Sequence, residues 1–436
     1  MRPREARVSE PTQAAPASFA LEEILAATGG ELVRLGARTR FPGVTTDSRS
    51  LRPGELFVAI RGEAHDGHDF LGDAAECGAG AVVVERARAL RPLGCGVIAV
   101  RDTLAALGDL AVFHRRRCRP RIVAVTGSNG KTTTKEMLAA ILARAFGPGR
   151  VLRTTGTQNN LVGLPLTLLR LAGTEEAAIL ELGMNGPGEI WRLAQIAEPD
   201  VGVITCVAPA HLEGLGSIHG VAEAKAELYR RLRPSATAVV NADDPLVSAS
   251  ARAFPGRKVP FGTAPAAGVT VGAQGIVDRG LEAFQPPGMR MEVTQLPTGV
   301  TVLNDAYNAN PASMAAALST LAVSRGRRRL AALGEMRELG EEAPRAHREL
   351  GAAAAGARLD ALFLLGPHAA EVRAGAEAAG LPAECITIAA SHDELAARLA
   401  AYCRAGDLVL LKGSRGAAME EVLRRLTAEA GGERRP

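Results

Sequence analysis

The chain has 436 residues, enough for two to four domains with full cores, and a nearly balanced charge of 51 basic against 47 acidic residues for a net of +4. That balance, with only 3% aromatic residues, excludes the basic surface and stacking platforms of a nucleic-acid binder. Six cysteines stand singly, with no C-x-x-C pair, which fits a reducing cytoplasm, and the first residues lack the apolar core of a signal peptide or membrane span.

Taken in order, residues 1–17 are rich in Pro, Ala, Arg and Glu and read as a disordered tail. A first domain follows over 18–100. It opens on a short amphipathic helix from Phe19 to Gly30 and alternates strand with polar loop. Two of its loops, Thr46-Asp-Ser-Arg49 and His65-Asp-Gly-His-Asp-Phe70, can hold a ligand or serve as ordinary turns; His65 and His68 have no further His or Cys nearby and read as a solvated loop, not a metal site.

A central domain is expected over 101–325. A helix from Asp102 to Arg117 leads to the apolar run Ile122 to Val125, a buried strand. The run stops at a glycine turn and continues into a helix with Met137, Leu138, Ile141 and Leu142 on its apolar positions. Gly127 and Gly130 let backbone N–H groups approach an anion, and the helix N-terminus adds its positive dipole end. Lys131 can reach outer phosphates and the Thr132 hydroxyl can ligate Mg²⁺. The spacing is not the standard P-loop, which needs glycine where Val125 stands.

Beyond it lies the polar loop Thr154-Thr-Gly-Thr-Gln-Asn-Asn160, whose amides can bond a substrate or merely cap the next helix. The strand Ala177 to Leu180 ends in Glu181, where the Mg²⁺ of a bound nucleotide would lie. A second strand, Val201 to Val207, ends near His211, and Lys225 lies on the helix Val221 to Leu232. A lysine serves a metal only after neutralisation or conversion to a carbamate, and spacing alone favours a surface lysine there. In an arginine-rich chain, however, Lys131, Lys225 and Lys412 stand out as places where an amine is required. From about Gly326 to the end the pattern alternates strand and helix. It implies a parallel, doubly wound sheet over 326–436, with Lys412, Ser414 and Arg415 after its last strand.

The segments Thr126-Gly-Ser-Asn-Gly-Lys-Thr132, Glu181-Leu-Gly-Met-Asn185, Ala210-His-Leu-Glu213, Ala224-Lys-Ala-Glu227, Asn304-Asp-Ala-Tyr-Asn-Ala-Asn-Pro311 and Leu411-Lys-Gly-Ser-Arg415 together resemble the Mur ligase family. The Asn-Ala-Asn-Pro run and Leu333-Gly-Glu-Met-Arg-Glu-Leu-Gly340 are similar to the branch that uses D-alanyl-D-alanine. The resemblance implies an α/β, three-domain architecture with a central P-loop ATPase-like parallel sheet and a C-terminal Rossmann-like domain. It further implies ATP-dependent amide bond formation on UDP-N-acetylmuramoyl-tripeptide, by a cytoplasmic monomer without membrane insertion.

By that resemblance, Gly127, Ser128, Asn129, Gly130, Lys131, Thr132 and Thr133 hold the nucleotide, with Asn308 near it. Thr132 and Glu181 hold one Mg²⁺, and Glu181, His211 and a carbamylated Lys225 a second; Lys131, His211 and Lys225 are the implied catalytic set. Ser48 and Arg49 would hold the uridine nucleotide, Asn159 and Asn160 the reacting carboxylate, and Lys412, Ser414 and Arg415 the incoming amine.

One stretch departs from the family. Val269-Thr-Val-Gly-Ala runs directly into Gln274, with no histidine between His219 and His347, where relatives carry a segment with an adenine-contacting asparagine. It reads as an internal deletion near 273, which keeps open two alternatives: another amide ligase of the same superfamily, and a non-catalytic nucleotide-binding relative.

Overall fold

The computed structural model describes residues 17–62, 64–86, 93–210, 212–262, 281, 284 and 288–430. The expected tail lies outside these residues up to position 16; Ala17 is buried and donates its N–H to the Leu169 carbonyl at 3.2 Å. The stretch read as a deletion, 269–284, also lies outside them except for Leu281 and Phe284. The chain divides into two compact units.

The first unit comprises 1–127, 137–205 and 224–283. Its N-terminal sheet runs, in spatial order, Glu31–Arg34, Gly96–Val100, Ala81–Glu85, Leu56–Val58 and Val44–Thr45, with only the first pair antiparallel. Ala81–Glu85 is four apolar residues in succession because both its faces are covered. The 65–70 loop differs from expectation. His68 is buried, its Nδ1 lies 2.6 Å from Asp66, and its Nε2 accepts the Glu85 N–H at 3.1 Å, so this histidine pins a turn to a strand end and is not solvated.

The second sheet of this unit is wholly parallel, in the order Arg257–Phe261, Thr237–Asn241, Val201–Ile204, Arg121–Thr126, Ala177–Glu181 and Val151–Arg153. The phosphate strand Arg121–Thr126 sits where the strand order reverses, and in such sheets ligands bind outside the carboxyl ends at that point. The helix Thr103–Cys118 precedes it, started by Asp102, whose side chain accepts the Ala105 N–H.

The second unit comprises 128–136, 206–223 and 284–436. Its sheet order is Glu292–Gln295, Thr301–Asp305, Leu408–Lys412, Arg329–Leu333, Ala361–Leu365 and Ile386–Ala389, parallel except for the first pair. Met314 and Leu318 of helix Pro311–Val323, Leu350 of Ala343–Gly356 and Val372 of Ala369–Ala378 pack on one face. Leu395 of His392–Tyr402 and Val422 of Glu420–Ala430 pack on the other, so the sheet is doubly wound as the sequence implies. The unit takes in two strands and a helix that precede the expected boundary at 326, because Thr301–Asp305 pairs with Leu408–Lys412 and Met314, Leu318 and Leu321 share one core with Ala331 and Leu333.

Candidate active site

In the first unit, parallel pairing sets Glu181 opposite Val125, two residues before Gly127. Glu181 is 3% exposed, and its carboxylate is held from the polar loop: Asn159 Nδ2 donates to Oε1 at 3.0 Å. Its N–H donates to the buried Thr154 hydroxyl, also at 3.0 Å. Gly183 leaves room for this approach, since a Cβ there would stand 2.8 Å from the Asn159 amide and push it aside. Asn160 takes the other role allowed by the sequence, its Oδ1 capping the next turn through the N–H groups of Val162 and Gly163.

Lys225 is 2% exposed on the helix Ile218–Arg231, so it is not a surface lysine. In the N-terminal sheet region, Ser48 is buried in a short turn capped by Asp47, and Arg49 is exposed with its guanidinium on the Asp47 carboxylate at 2.8 Å. The Arg49 guanidinium holds that carboxyl below its ordinary range.

In the second unit, the phosphate loop is tied down by its own polar groups. Ser128 donates its N–H to Cys206 and its hydroxyl to the Ala208 carbonyl, at 2.8 and 2.9 Å, and accepts the Ala208 N–H at 2.9 Å. Lys131 Nζ lies 3.4 Å from the Ser128 carbonyl, and Gly130, at φ +80°, adopts the backbone that glycine favours. Lys131, Thr132 and Thr133 begin the helix Lys131–Phe146.

Asn129 and Asn310 exchange amide hydrogen bonds at 3.2 and 2.8 Å. Asn310 also caps Pro311–Val323 by accepting the Ser313 N–H, so the Asn-Ala-Asn-Pro run joins a helix start to the phosphate loop. Asn308 is exposed, and its carbonyl accepts from Lys412 Nζ at 2.9 Å.

Lys412 is buried and its ammonium also meets Asp305 at 2.5 Å; burial pushes its pKa down against the pull of that carboxylate. Ser414 is buried with an Oγ that has no hydrogen-bond partner, an orphaned group at the carboxyl edge where doubly wound sheets take ligands. Arg415 is exposed and pairs with Glu420.

Arg290 was missed by sequence reasoning. Its Nη2 donates to the Thr132 hydroxyl at 2.9 Å and its guanidinium stacks over Tyr307 at 3.8 Å. His211 lies outside the described residues. Among the described residues no group of three His, Cys, Asp or Glu side chains is disposed to hold a metal ion. Magnesium does not require one, because it keeps several waters and takes one or two protein carboxylates plus substrate phosphates, and the buried Glu181 carboxylate of the first unit is a donor of that kind.

A glycine-turn phosphate loop at the switch point of a parallel sheet, a buried carboxylate beside its strand and a doubly wound second unit define an ATP-handling α/β enzyme. The chain belongs to the Mur ligase family. It matches the models of the Mur ligase family catalytic domain over 40–144, the Mur ligase middle domain over 125–316 and the Mur ligase glutamate ligase domain over 289–415.

Curated relatives include UDP-N-acetylmuramoyl-tripeptide–D-alanyl-D-alanine ligases. That of Bacillus subtilis is 33% identical over 89% of this chain and 94% of the relative; that of Escherichia coli is 34% identical over 94% and 98%. The alignment with the latter runs over 462 positions, more than the 436 residues of this chain, which therefore lacks positions that the relative has. Similar solved structures include MurF from Acinetobacter baumannii (TM-score 0.85, 27% identity, 95% of this chain and 100% of that one). MurF ligase from Thermotoga maritima in complex with ADP is also similar (TM-score 0.77, 28% identity, 89% and 97%).

Proposed function

We propose that this chain is the ATP-dependent ligase that joins D-alanyl-D-alanine to UDP-N-acetylmuramoyl-tripeptide during assembly of the peptidoglycan precursor. The observation that carries the reading is the full-length likeness to ligases of that name, and the alternative of a non-catalytic relative is not favoured by it. Among the described residues no helix is long and apolar enough to cross a membrane.

The terminal carboxylate of the tripeptide attacks the γ-phosphorus of ATP, releasing ADP and giving an acyl phosphate. The amine of the dipeptide then attacks the acyl carbon, loses a proton, and phosphate departs. The chain's task is mostly positioning and charge neutralisation. Backbone N–H groups of 127–130 and the Lys131 ammonium receive phosphate oxygens; Arg290, braced on Tyr307, adds a second cation beside Thr132. Asn159 orients the Glu181 carboxylate and Asn160 shapes the loop that receives the tripeptide carboxylate. Ser48 and Arg49 serve the uridine nucleotide, while Ser414 and Arg415 serve the dipeptide. Lys412 acts from beneath, fixing Asp305 and the Asn308 carbonyl.

Magnesium, when bound, supplies charge neutralisation to phosphoryl transfer, with Thr132 and Glu181 as donors. Lys225 and His211 are the further candidates. Lys225 serves there as a carbamate, formed when its neutral amine takes up carbon dioxide and releases a proton. Its burial supports a role other than solvation.

The test is phosphate release from ATP, Mg²⁺ and UDP-N-acetylmuramoyl-tripeptide with and without D-alanyl-D-alanine. Release that requires the dipeptide, with pentapeptide in the mass spectrum, is expected. Saturable ATP binding with no product would overturn the ligase reading. Lys225→Ala should abolish most turnover; a variant that kept full rate at limiting Mg²⁺ would remove the carbamate.

A further inference from the structure

Two loops leave the carboxyl edge of the second unit's sheet side by side. Backbone bonds stitch them together: Gly334 N–H donates to Lys412 at 2.8 Å, and Ser414 N–H donates to Glu335 at 2.9 Å. Glycine is needed at the seam, because a Cβ on Gly413 would stand 3.2 Å from the Gly334 Cα and 2.7 Å from Met419. The loop offers Glu335 and Arg337, paired at 2.5 Å, next to the orphaned Ser414 hydroxyl.

A third strut comes from a residue that plays no part in the chemistry described above. The Met336 N–H donates to Nε2 of His347 at 3.0 Å, and Nδ1 of the same ring lies 2.7 Å from the Ala343 carbonyl. A nitrogen facing an N–H must accept and one facing a carbonyl must donate, so the ring is the neutral Nδ1–H tautomer and both its nitrogens are used. His347 is 1% exposed. His368 stacks on it with ring centroids 4.5 Å apart at 27°. The charged groups that face it are Glu335 from the loop, with His368 and Glu371 from the neighbouring helix segment. A proton on Nε2 would turn the acceptor into a second donor aimed at the Met336 N–H and release the strut.

We propose that His347 is a positioning residue of the ligase reaction: neutral and buried, it latches the Gly334–Arg337 loop beside Ser414 and thereby sets the affinity for the incoming amine substrate. This rests on the ligase reading and on the dipeptide binding at this edge. Burial and the adjacent His368 ring push the His347 pKa down, which keeps the latch closed near neutrality against the opposing carboxylates.

The experiment compares KM for D-alanyl-D-alanine, ATP and UDP-N-acetylmuramoyl-tripeptide in the parent, His347→Ala and His347→Gln, each from pH 5.5 to 8.5. His347→Ala should raise KM for the dipeptide by about tenfold, the effect of one lost buried hydrogen bond, with the other two KM values within about twofold. His347→Gln keeps an acceptor without a titrating proton. It should hold the dipeptide KM near the parent value at pH 8 and lack the extra rise that the parent shows as pH falls toward the lowered His347 pKa; ionisation of the dipeptide itself cancels in that comparison.

Equal increases in all three KM values for His347→Ala overturn the proposal. Superimposable pH profiles for the parent and His347→Gln do so as well, and settle the matter if the alanine variant fails to fold. Absence of dipeptide-dependent phosphate release in the parent takes the ligase reading down too, so the two failures are distinct.

Discussion

Arg290 donates to the Thr132 hydroxyl at 2.9 Å from a turn whose two flanking residues, Met289 and Met291, both adopt positive φ, 59° and 53°. Side-chain-bearing residues occupy that region only where the surroundings over-determine them. Here Met289 N–H is held by Glu292, Met291 N–H by Asp305, and the Met289 carbonyl by Tyr307 N–H, at 2.9, 3.1 and 3.1 Å. The strain is maintained to aim one guanidinium at the phosphate loop. Removing such a preorganised charge costs on the order of 100-fold in rate, so Arg290→Ala should lower kcat by about that factor, and Arg290→Lys should recover little because an ammonium neither forks nor stacks on Tyr307. Steady-state phosphate release decides this; an unchanged kcat would remove Arg290 from the reaction.

Asn159 is expected to act through Glu181. A group that orients a metal-binding carboxylate typically affects metal affinity by about 10- to 100-fold. Asn159→Ala should therefore raise the Mg²⁺ concentration at half-maximal rate by about tenfold, while saturating Mg²⁺ restores much of the activity. Glu181→Gln, which removes the charge itself, should not be restored. If the Mg²⁺ dependence of Asn159→Ala matches the parent, the 3.0 Å bond has no role in metal binding.

Much of the fold and part of this site are legible in the sequence, for local reasons. The phosphate loop announces itself because an apolar run, two glycines and Lys-Thr must be contiguous to build a cradle, and Glu181 because its strand ends where it stands. Lys225 was legible in principle: Val221, Lys225, Leu228 and Tyr229 follow the helical stripe that the structure buries, and the lysine lies on it. Arg290 was not, since its partner lies 158 residues earlier and no periodic pattern surrounds it. His68 was misread for the same reason, because the strand end that buries it, Glu85, is 17 residues away.

The crossing of helices Ala343–Gly356 and Ala369–Ala378 predicts a stability effect remote from the chemistry. A Cβ on Gly351 would sit 2.0 Å from the Val372 carbonyl oxygen, and one on Gly375 would sit 1.9 Å from that of Arg348. Backbone, not a flexible side-chain end, is what they would strike, so the helices must part. Gly351→Ala and Gly375→Ala should each destabilise the second unit by about 1–3 kcal/mol or more, lowering the melting temperature by several degrees, whereas Gly356→Ala, with nothing within 4 Å, should not. Equal melting temperatures for the three variants would refute the crossing.

Two buried histidines make stability depend on pH in one direction. His114 donates from Nε2 to the Leu171 carbonyl at 2.7 Å, and its Nδ1 accepts from Arg117 at 2.9 Å; His347 uses both nitrogens as described. Burial pushes both pKa values below the ordinary 6.5. A neutral folded ring opposed by a more basic unfolded one means that the unfolded chain binds more protons as pH falls through 6.5. The stabilisation is full above that value and is lost as pH drops toward the folded-state pKa values. The melting temperature should therefore fall between pH 7.5 and pH 5.5. His114→Gln and His347→Gln combined should narrow that fall, since neither glutamine takes up a proton in the unfolded chain. Differential scanning calorimetry at the two pH values measures it, and an unaltered difference in the double variant would show that carboxylates, not these imidazoles, set the acid limb.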